Sequence, residues 1–292
     1  MKIPNNKIFS EFKKQYYCPE EYQILNEKKC VKNNNVKNII GNVINYNSKN
    51  KEEEIKYYDT ILKNIEDFFT SDNFDTSDLD NGNNQIIELE QVKITFTTTQ
   101  NQKNNINDNM TNIDLGECEK SLRQAYNLSS DEIIYLKIIE KKQEGMRIPK
   151  IEYDIYSKLS GDNLKVINLT ACQNDKIYTS VPVKITGNLD KLNSSSDYYN
   201  DVCYTATSES GTDISVKDRK NEYPNLAVCQ DDCDFLGYNY TTGKAKCSCE
   251  VKQSSESFKD MNINKQKLLD NFKNIKNIAN VKLLICVKVL LK

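Results

Sequence analysis

The sequence predicts an α+β fold, in which helices cover an antiparallel sheet and a disulfide-rich, turn-rich segment lies toward the C-terminus. Three observations lead to this fold class. Residues 52–69 repeat apolar side chains at helical spacing, residues 133–185 contain four β-like runs, and ten cysteines include a tight cluster at 229–249. The first two predict the secondary structure, and the third bears on the cellular compartment.

Two segments have the apolar spacing of amphipathic helices. In residues 52–69 the apolar positions follow an i, i+3, i+4, i+7 pattern. Glutamates at 52–54 would occupy the first turn, where negative charge favours the positive end of the helix dipole. The second segment, residues 264–278, repeats Leu and Ile at the same spacing near the C-terminus.

A further helix is expected where the chain becomes richer in apolar residues. Asn112 or Asp114 could cap it, and it would run to about Tyr126. One face is expected to be buried, carrying Cys118, Leu122 and Ala125.

Five runs rich in β-branched and aromatic residues are expected to be strands. They are residues 92–99, 133–141, 147–157, 164–169 and 177–185. Gly145 and Gly161 mark hairpin turns between the middle runs. Because one side of the four runs between residues 133 and 185 is apolar and the other polar, we expect them to form one antiparallel sheet with a single buried face, covered by the 114–126 helix.

Composition divides the chain into three regions. Residues 1–34 are predicted to form a small Cys-Pro hairpin unit, residues 35–111 a polar, Asn- and Lys-rich segment with one amphipathic helix and one strand, and residues 112–292 a globular α+β region. A turn at 25–28 would place Cys18 opposite Cys30, so that a disulfide closes the hairpin in an oxidising compartment. The alternative is two unrelated thiols.

Charge and composition weigh against several functions. The formal net charge is −2 and the pI about 5.6, so the chain lacks the basic face that nucleic-acid phosphates require. It contains no histidine, which removes the Ser-His-Asp and Cys-His arrangements of nucleophilic catalysis. Since no other acid–base or nucleophile pattern is visible, we expect neither an enzyme nor a bound cofactor.

The cysteine cluster consists of Cys229, Cys233, Cys247 and Cys249. Four thiolates could bind zinc, but the one-residue gap at its end is poorly suited to tetrahedral ligation. Disulfides account for the spacing better, because Cys247 and Cys249 would face one side of a strand and meet two partners. The aromatic-rich hairpin before Cys247 is typical of the second half of an EGF-like module, although that module's closing cysteine segment is missing.

Two acidic stretches raise the question of calcium. Residues 77–88 have the Gly-to-Glu spacing of an EF-hand loop, but Ser77 and Leu79 occupy positions that need carboxylates. The cluster contains Asp231, Asp232 and Asp234, a residue type that also suits turns. We expect a solvated loop at 77–88 and no metal site, with weak calcium binding by the three aspartates as the open alternative.

Neither a secretory signal nor a membrane anchor is expected within this chain. Residues 1–17 lack the apolar run of a signal peptide, and polar residues interrupt the apolar stretch at 278–291. Asn-X-Ser/Thr sequons permit secretion without arguing for it, since a chain this rich in Asn would contain several by chance. They are Asn109, Asn127, Asn168, Asn193 and Asn239.

Short motifs extend over most of the chain from residue 18. They are Cys18-Pro-Glu-Glu-Tyr followed by Cys30, Ile113–Glu119, Arg147–Tyr153, Asp197–Tyr204, Gly211–Ile214, Asp218–Lys220 and the cluster at 229–249. In this order they resemble a family of large, mostly uncharacterised cysteine-containing surface proteins of unicellular eukaryotes. The resemblance implies a lumenal or extracellular ectodomain, with Cys-Pro hairpin repeats upstream and a transmembrane helix just after Cys286.

Together these observations predict a non-enzymatic, disulfide-stabilised fragment of a cell-surface ectodomain, with a structural role or a role in adhesion or ligand contact. A protein or a glycan is the expected class of ligand, and membrane contact is expected only through a segment absent from this chain. The alternative is an intracellular interaction domain with free thiols or one four-cysteine zinc site. All ten cysteines are candidate disulfide residues: Cys18, Cys30, Cys118, Cys172, Cys203, Cys229, Cys233, Cys247, Cys249 and Cys286.

Overall fold

The computed structural model describes residues 50–272 apart from 73, 105–108, 186 and 271, together with the backbone of four short strands between residues 8 and 32. By its contacts the chain forms two compact units, Met1–Asp78 with Lys158–Lys165 and Leu79–Ser157 with Val166–Lys292. The domain boundaries predicted at residues 34 and 111 stay predictions, because compactness alone does not show which segment folds by itself.

Two short antiparallel hairpins lie in the N-terminal segment. They are β1 (Ile8–Ser10) with β2 (Gln15–Tyr17) and β3 (Tyr22–Leu25) with β4 (Lys29–Lys32). The second hairpin lies where the sequence predicts one, but its register pairs Cys30 with Ile24. The position of Cys18, which the sequence predicts to lie opposite Cys30, falls outside the described residues. The disulfide predicted between these cysteines lies outside the described residues.

The long helix α1 (Lys51–Phe69) confirms the apolar spacing of residues 52–69. The side chain of Asn50 accepts a hydrogen bond from the Glu52 amide (3.0 Å) and caps the helix. Glutamates fill the first turn, as predicted, and one face of the helix is buried. Its buried residues are Tyr58, Ile61, Ile65 and Phe69.

The remaining elements run from residue 77 to residue 270. The strands are β5 (Gln85–Glu88), β6 (Val92–Thr98), β7 (Asn112–Asp114), β8 (Tyr135–Lys141), β9 (Lys150–Ser157), β10 (Lys165–Val166), β11 (Lys176–Pro182), β12 (Cys233–Asn239) and β13 (Lys244–Glu250). The helices are α2 (Ser77–Asp80), α3 (Thr99–Asn104), α4 (Glu117–Ala125), α5 (Asp197–Asn200), α6 (Val216–Leu226) and α7 (Lys265–Asp270), with 3₁₀ turns at Leu169–Cys172 and Leu189–Leu192.

The strands confirm the α+β class but form two antiparallel sheets, in the orders β10-β9-β8-β6-β5 and β12-β13-β11-β7. The expectation of a single sheet is wrong. Strand β11 pairs with β13 along its whole length, from Lys176 opposite Glu250 to Pro182 opposite Lys244, and with β7 on its other side. Strand β13 of the cysteine-bearing hairpin is thus the partner of β11, whereas the sequence predicts a partner among the earlier runs.

Strands β6, β8 and β9 are buried on nearly every residue, whereas the sequence predicts one buried face. Their charged residues are paired across the sheet. Lys137 Nζ lies 2.8 Å from Asp154, and Lys93 Nζ lies 3.4 Å from Glu140. On these strands a charged residue therefore does not indicate a solvent-facing position, because its cross-strand neighbour carries the opposite charge. In β11 the burial does alternate as predicted.

Two other segments differ from expectation. The acidic stretch predicted as a solvated loop contains the single turn α2, in which Leu79 is fully buried and Asp80 accepts a hydrogen bond from the Tyr135 hydroxyl (2.7 Å). Tertiary burial, which a local pattern does not show, holds this turn. The strand predicted at 164–169 is limited to β10, because a 3₁₀ turn begins at Leu169.

Helix α4 begins later than predicted. Neither Asn112 nor Asp114 caps it, because both belong to β7. Gly116 takes the N-cap position with a φ of 54°, and a Cβ there would lie 3.2 Å from the Tyr178 ring. The chain therefore turns from strand into helix at a residue that only glycine suits.

The buried face of α4 and the C-terminal helix are confirmed in part. Cys118 and Leu122 are buried as expected, but Ala125 is exposed in the last turn of the helix. The helix predicted at 264–278 is present as α7, and its course after residue 272 lies outside the described residues.

Candidate functional site

The cysteine cluster is built on the β12–β13 hairpin. Successive side chains of a strand point to opposite faces, so Cys247 and Cys249 of β13 share one face. Cys247 is bonded to Cys229 and Cys249 to Cys233, with Cα separations of 5.8 and 4.0 Å. All four sulfurs are bonded in pairs, so none of them is a thiolate that could ligate zinc in this state.

The loop that supplies Cys229 follows helix α6. Ala227 and Val228, which precede Cys229, are fully buried. The Cys233 amide then donates to the Gln230 carbonyl (3.0 Å), and this turn leads into β12, where Cys233 lies directly opposite Cys249. The two disulfides therefore fasten a short irregular loop to the regular hairpin that comes after it.

Side chains of this loop bind strand β9 of the other sheet. Gln230 accepts a hydrogen bond from the Ile151 amide (3.0 Å) and donates one to the Ile151 carbonyl (3.4 Å), as the backbone of a neighbouring strand would. Lys150 Nζ lies 3.4 Å from Asp231 Oδ1, and both residues are buried. Asp231 is thus the partner of a lysine, and the loop is held by contacts as well as by its bonds.

A cleft of about 150 Å³ lies beside the cluster. Glu152 accepts hydrogen bonds from the Ser255 amide (3.2 Å) and hydroxyl (2.9 Å), and Asp232 forms ion pairs with Lys252 and with a lysine of α7. Burial raises the pKa of Tyr153 to about 12, so its hydroxyl stays protonated at neutral pH. These charged groups are paired with their neighbours, and the pairs hold the walls of the cleft together.

A third disulfide, Cys118–Cys172, joins α4 to the 3₁₀ turn that precedes β11. Its Cα separation is 5.0 Å, and both cysteines are fully buried. The Ser121 hydroxyl donates to Asp175 Oδ2 (2.8 Å) beside the bond. The disulfide closes a loop with a sequence separation of 54, far longer than either bridge of the cluster.

Glu119 comes directly after Cys118 on α4 and accepts hydrogen bonds from Lys103 (3.0 Å) and Arg123 (2.9 Å). Burial opposes ionisation of the carboxyl, but the bonds and charges of the two cations outweigh it and hold the pKa of Glu119 below its ordinary value. Arg123 also donates to the carbonyls of Ser129 (2.8 Å) and Glu132 (2.9 Å). This group ties the helix to the turn that follows it.

Two of the sequence motifs, 197–204 and 218–220, meet in one buried cluster. Arg219 Nη1 donates to the Tyr198 carbonyl (2.6 Å), and its guanidinium lies 5.3 Å from the centre of the Tyr198 ring. Burial lowers the pKa of Arg219, whose charge is held among aromatic rings. Cys203, in the first motif, is also disulfide-bonded. These motifs act in packing and covalent closure.

The predicted cysteines thus fall into three sets. Six form the three disulfides above, Cys203 is bonded as well, and Cys18, Cys286 and the side chain of Cys30 lie outside what the structure describes. No cysteine in the described part of the chain is free, and no group of three or more metal-binding side chains there is placed to hold an ion. Sequence reasoning missed Lys150 and Gln230, because both residue types normally lie in solvent.

No protein-family model matches this chain, and neither a curated protein nor a solved structure is significantly similar to it. Among the residues that the structure describes, no helix combines the length and the apolar character that a bilayer crossing requires. The disulfides and the groups around them are therefore the features that bear on function.

Proposed function

We propose that this chain is a non-enzymatic domain of a cell-surface protein, stabilised by disulfides in an oxidising compartment, with a structural role or a role in adhesion or ligand contact. The observation that carries the proposal is the bonding of Cys229 to Cys247 and of Cys233 to Cys249. Disulfides persist in secreted and surface proteins, whereas cytosolic thiols are kept reduced. The likeness of the hairpin to the second half of an EGF-like module belongs to the same proposal.

The places that the disulfides join also support it. Cys229 lies in a loop and Cys172 in a single 3₁₀ turn, so neither segment is held by a continuous backbone ladder. A bridge of this kind adds about 2–4 kcal/mol, which is a large part of the stability of an ordinary domain. A chain that depended on these bonds would be poorly suited to the reducing cytosol.

The state of the charged groups supports a role without catalysis. A general acid or base needs a group that can exchange a proton with a substrate. The carboxylates of Glu119, Glu152, Asp231 and Asp232 are instead engaged by lysine, arginine and serine side chains. These contacts hold segments of the chain together, which is the work expected of a structural or adhesive domain.

Thiol mapping of the protein from its native host tests the compartment. The protein is alkylated with and without prior reduction, and each cysteine is read by peptide mass spectrometry. We expect Cys118, Cys172 and the four cluster cysteines to be alkylated only after reduction. Alkylation of these residues in unreduced protein would overturn the proposal and favour the intracellular alternative.

Labelling of intact cells tests the surface location separately. A membrane-impermeant amine reagent should modify exposed lysines such as Lys120 on unbroken cells. If the cysteines are disulfide-bonded but the lysines are labelled only after lysis, the surface location is overturned and an internal oxidising compartment is favoured. An abundant cytosolic protein, which must stay unlabelled, serves as the control for cell integrity.

A further inference from the structure

The β12–β13 hairpin exposes apolar side chains on the edge of its sheet. Leu236 and Tyr240 are 54% and 73% exposed, the highest values for large apolar residues in the described part of the chain. The rings of Tyr238 and Tyr240 meet edge to face at 5.0 Å, and the Tyr238 hydroxyl donates to the Val183 carbonyl (3.1 Å), which fixes this ring. Since β12 is an edge strand, such a patch favours pairing with other chains.

Asn239 lies between the two tyrosines and begins the sequon Asn239-Tyr240-Thr241. Its Oδ1 accepts hydrogen bonds from the amides of Thr241 (2.9 Å) and Thr242 (3.2 Å), so the side chain is fixed in the turn. Asn239 and Thr241 are both exposed. The amide group that an N-linked glycan needs is thus held at the surface, next to the apolar patch.

We propose that Asn239 carries an N-linked glycan whose first sugar covers Tyr240 and whose following sugars extend along β12 toward Leu236. The inference rests on the proposed function, because the donor, an oligosaccharide on a polyprenyl diphosphate, is met during export. In the transfer, Asn239 Nδ2 forms a bond to sugar C1 and loses a proton. The bond from C1 to the diphosphate oxygen breaks, and the lipid diphosphate leaves with the electron pair.

The apolar C–H face of a pyranose packs well on an aromatic ring, and its hydroxyls face water. A glycan at this position would therefore shield the apolar patch and block approach of another strand to the edge. The sequon at Asn193 provides a contrast, because it is half-buried and flanked by Ser194 and Ser195. It offers no exposed apolar neighbours for a sugar to cover.

The modification is tested on the full chain, secreted from cultured eukaryotic cells behind an added signal peptide. Enzymatic removal of N-glycans in heavy-oxygen water converts each modified asparagine to a labelled aspartate. We expect the label at position 239, its loss in Thr241→Ala and its retention in Thr241→Ser. Ser195→Ala is the matched control, because it also removes a sequon by changing an exposed hydroxyl residue to alanine.

The covering role has its own measurement. Secreted Thr241→Ala should aggregate more and bind more of a hydrophobic dye than the wild type, and Ser195→Ala should not. Adding Leu236→Ser and Tyr240→Ser to Thr241→Ala should restore the wild-type behaviour without a glycan.

Two results would overturn the inference. If the protein is secreted with its disulfides formed but Asn239 is unmodified, the proposed glycan is refuted and the proposed function still stands. A glycan whose loss changes neither aggregation nor dye binding would remove the covering role. Free thiols in the native-host protein would instead overturn the proposed function.

Discussion

Removal of the Cys118–Cys172 disulfide is expected to lower the free energy of unfolding by about 4 kcal/mol. The bridge spans a sequence separation of 54. With the loop-closure entropy taken as about −2.1 − 1.5R ln n cal/mol/K, this loop gives about 4 kcal/mol at ordinary temperature. The Cys229–Cys247 bridge, with a separation of 18, gives about 3 kcal/mol by the same relation. The difference arises in the unfolded chain, which the longer loop restricts more.

The assay is urea unfolding, without reductant, of Cys118→Ala, Cys172→Ala and the variant with both changes. Because the two residues form one bond, the double variant should lose about as much stability as either single variant. The control combines Cys118→Ala with Cys229→Ala. It breaks two separate bonds and should lose the sum, about 7 kcal/mol.

Two results would refute the reasoning. A double variant that loses the sum of its single variants would show that Cys118 and Cys172 do not share a bond. A mixed variant that loses no more than Cys118→Ala alone would show that Cys118 and Cys229 are bonded to each other. The first result would exclude the Cys118–Cys172 pairing, and the second would also identify the partner of Cys118.

Three further changes can be tested by the same unfolding measurements. Glu119 has a lowered pKa, so its stabilising effect is present above the ordinary value of 4.5 and is lost as the pH falls below it. Glu119→Gln should therefore flatten the acid limb of the stability profile, and the exposed Glu117→Gln should not. The pKa of Tyr153 is about 12 when folded and about 10 when unfolded, so this residue should lower the unfolding free energy by about 1.4 kcal/mol per pH unit over that interval, in addition to what the other buried tyrosines contribute. Tyr153→Phe should remove this loss, whereas Tyr240→Phe should retain it. Gln230→Ala should cost about 1–3 kcal/mol, because it leaves the Ile151 amide and carbonyl without their partner; an unchanged midpoint would show that water replaces the side chain.

Local periodicity was enough to predict the elements whose burial is simple. Helix α1 has one apolar stripe and a polar face, so Ile61 and Ile65 could be assigned to the core from their spacing. Strand β11 alternates in sequence and in burial for the same reason. In both cases one face decides the pattern, and no distant residue is needed to explain it.

Strands β8 and β9 could not be interpreted in this way. Lys137 looks like a solvent-facing residue until Asp154, seventeen positions further on, is placed beside it by the strand register. The same limit applies at the cluster, where the aspartates suited either a turn or a cation. Asp231 is neutralised by Lys150, which is distant in sequence, and no spacing rule connects these two positions. Cysteine pairing is likewise a property of the folded chain, and sequence spacing leaves it open.

The Cys118–Cys172 bond also changes what a break in the backbone would mean. The turn between β9 and β10 is exposed at residues 160–162, and Leu159 and Ser160 hold positive φ values of 46° and 64°. A protease that cut there would cut inside the loop that the disulfide closes. The two fragments would stay joined and keep each other at a high effective concentration, so β7 and β11, which lie on different fragments, could pair again after each unfolding event. A single nick would turn a one-chain domain into a covalently linked two-chain one without dispersing its parts.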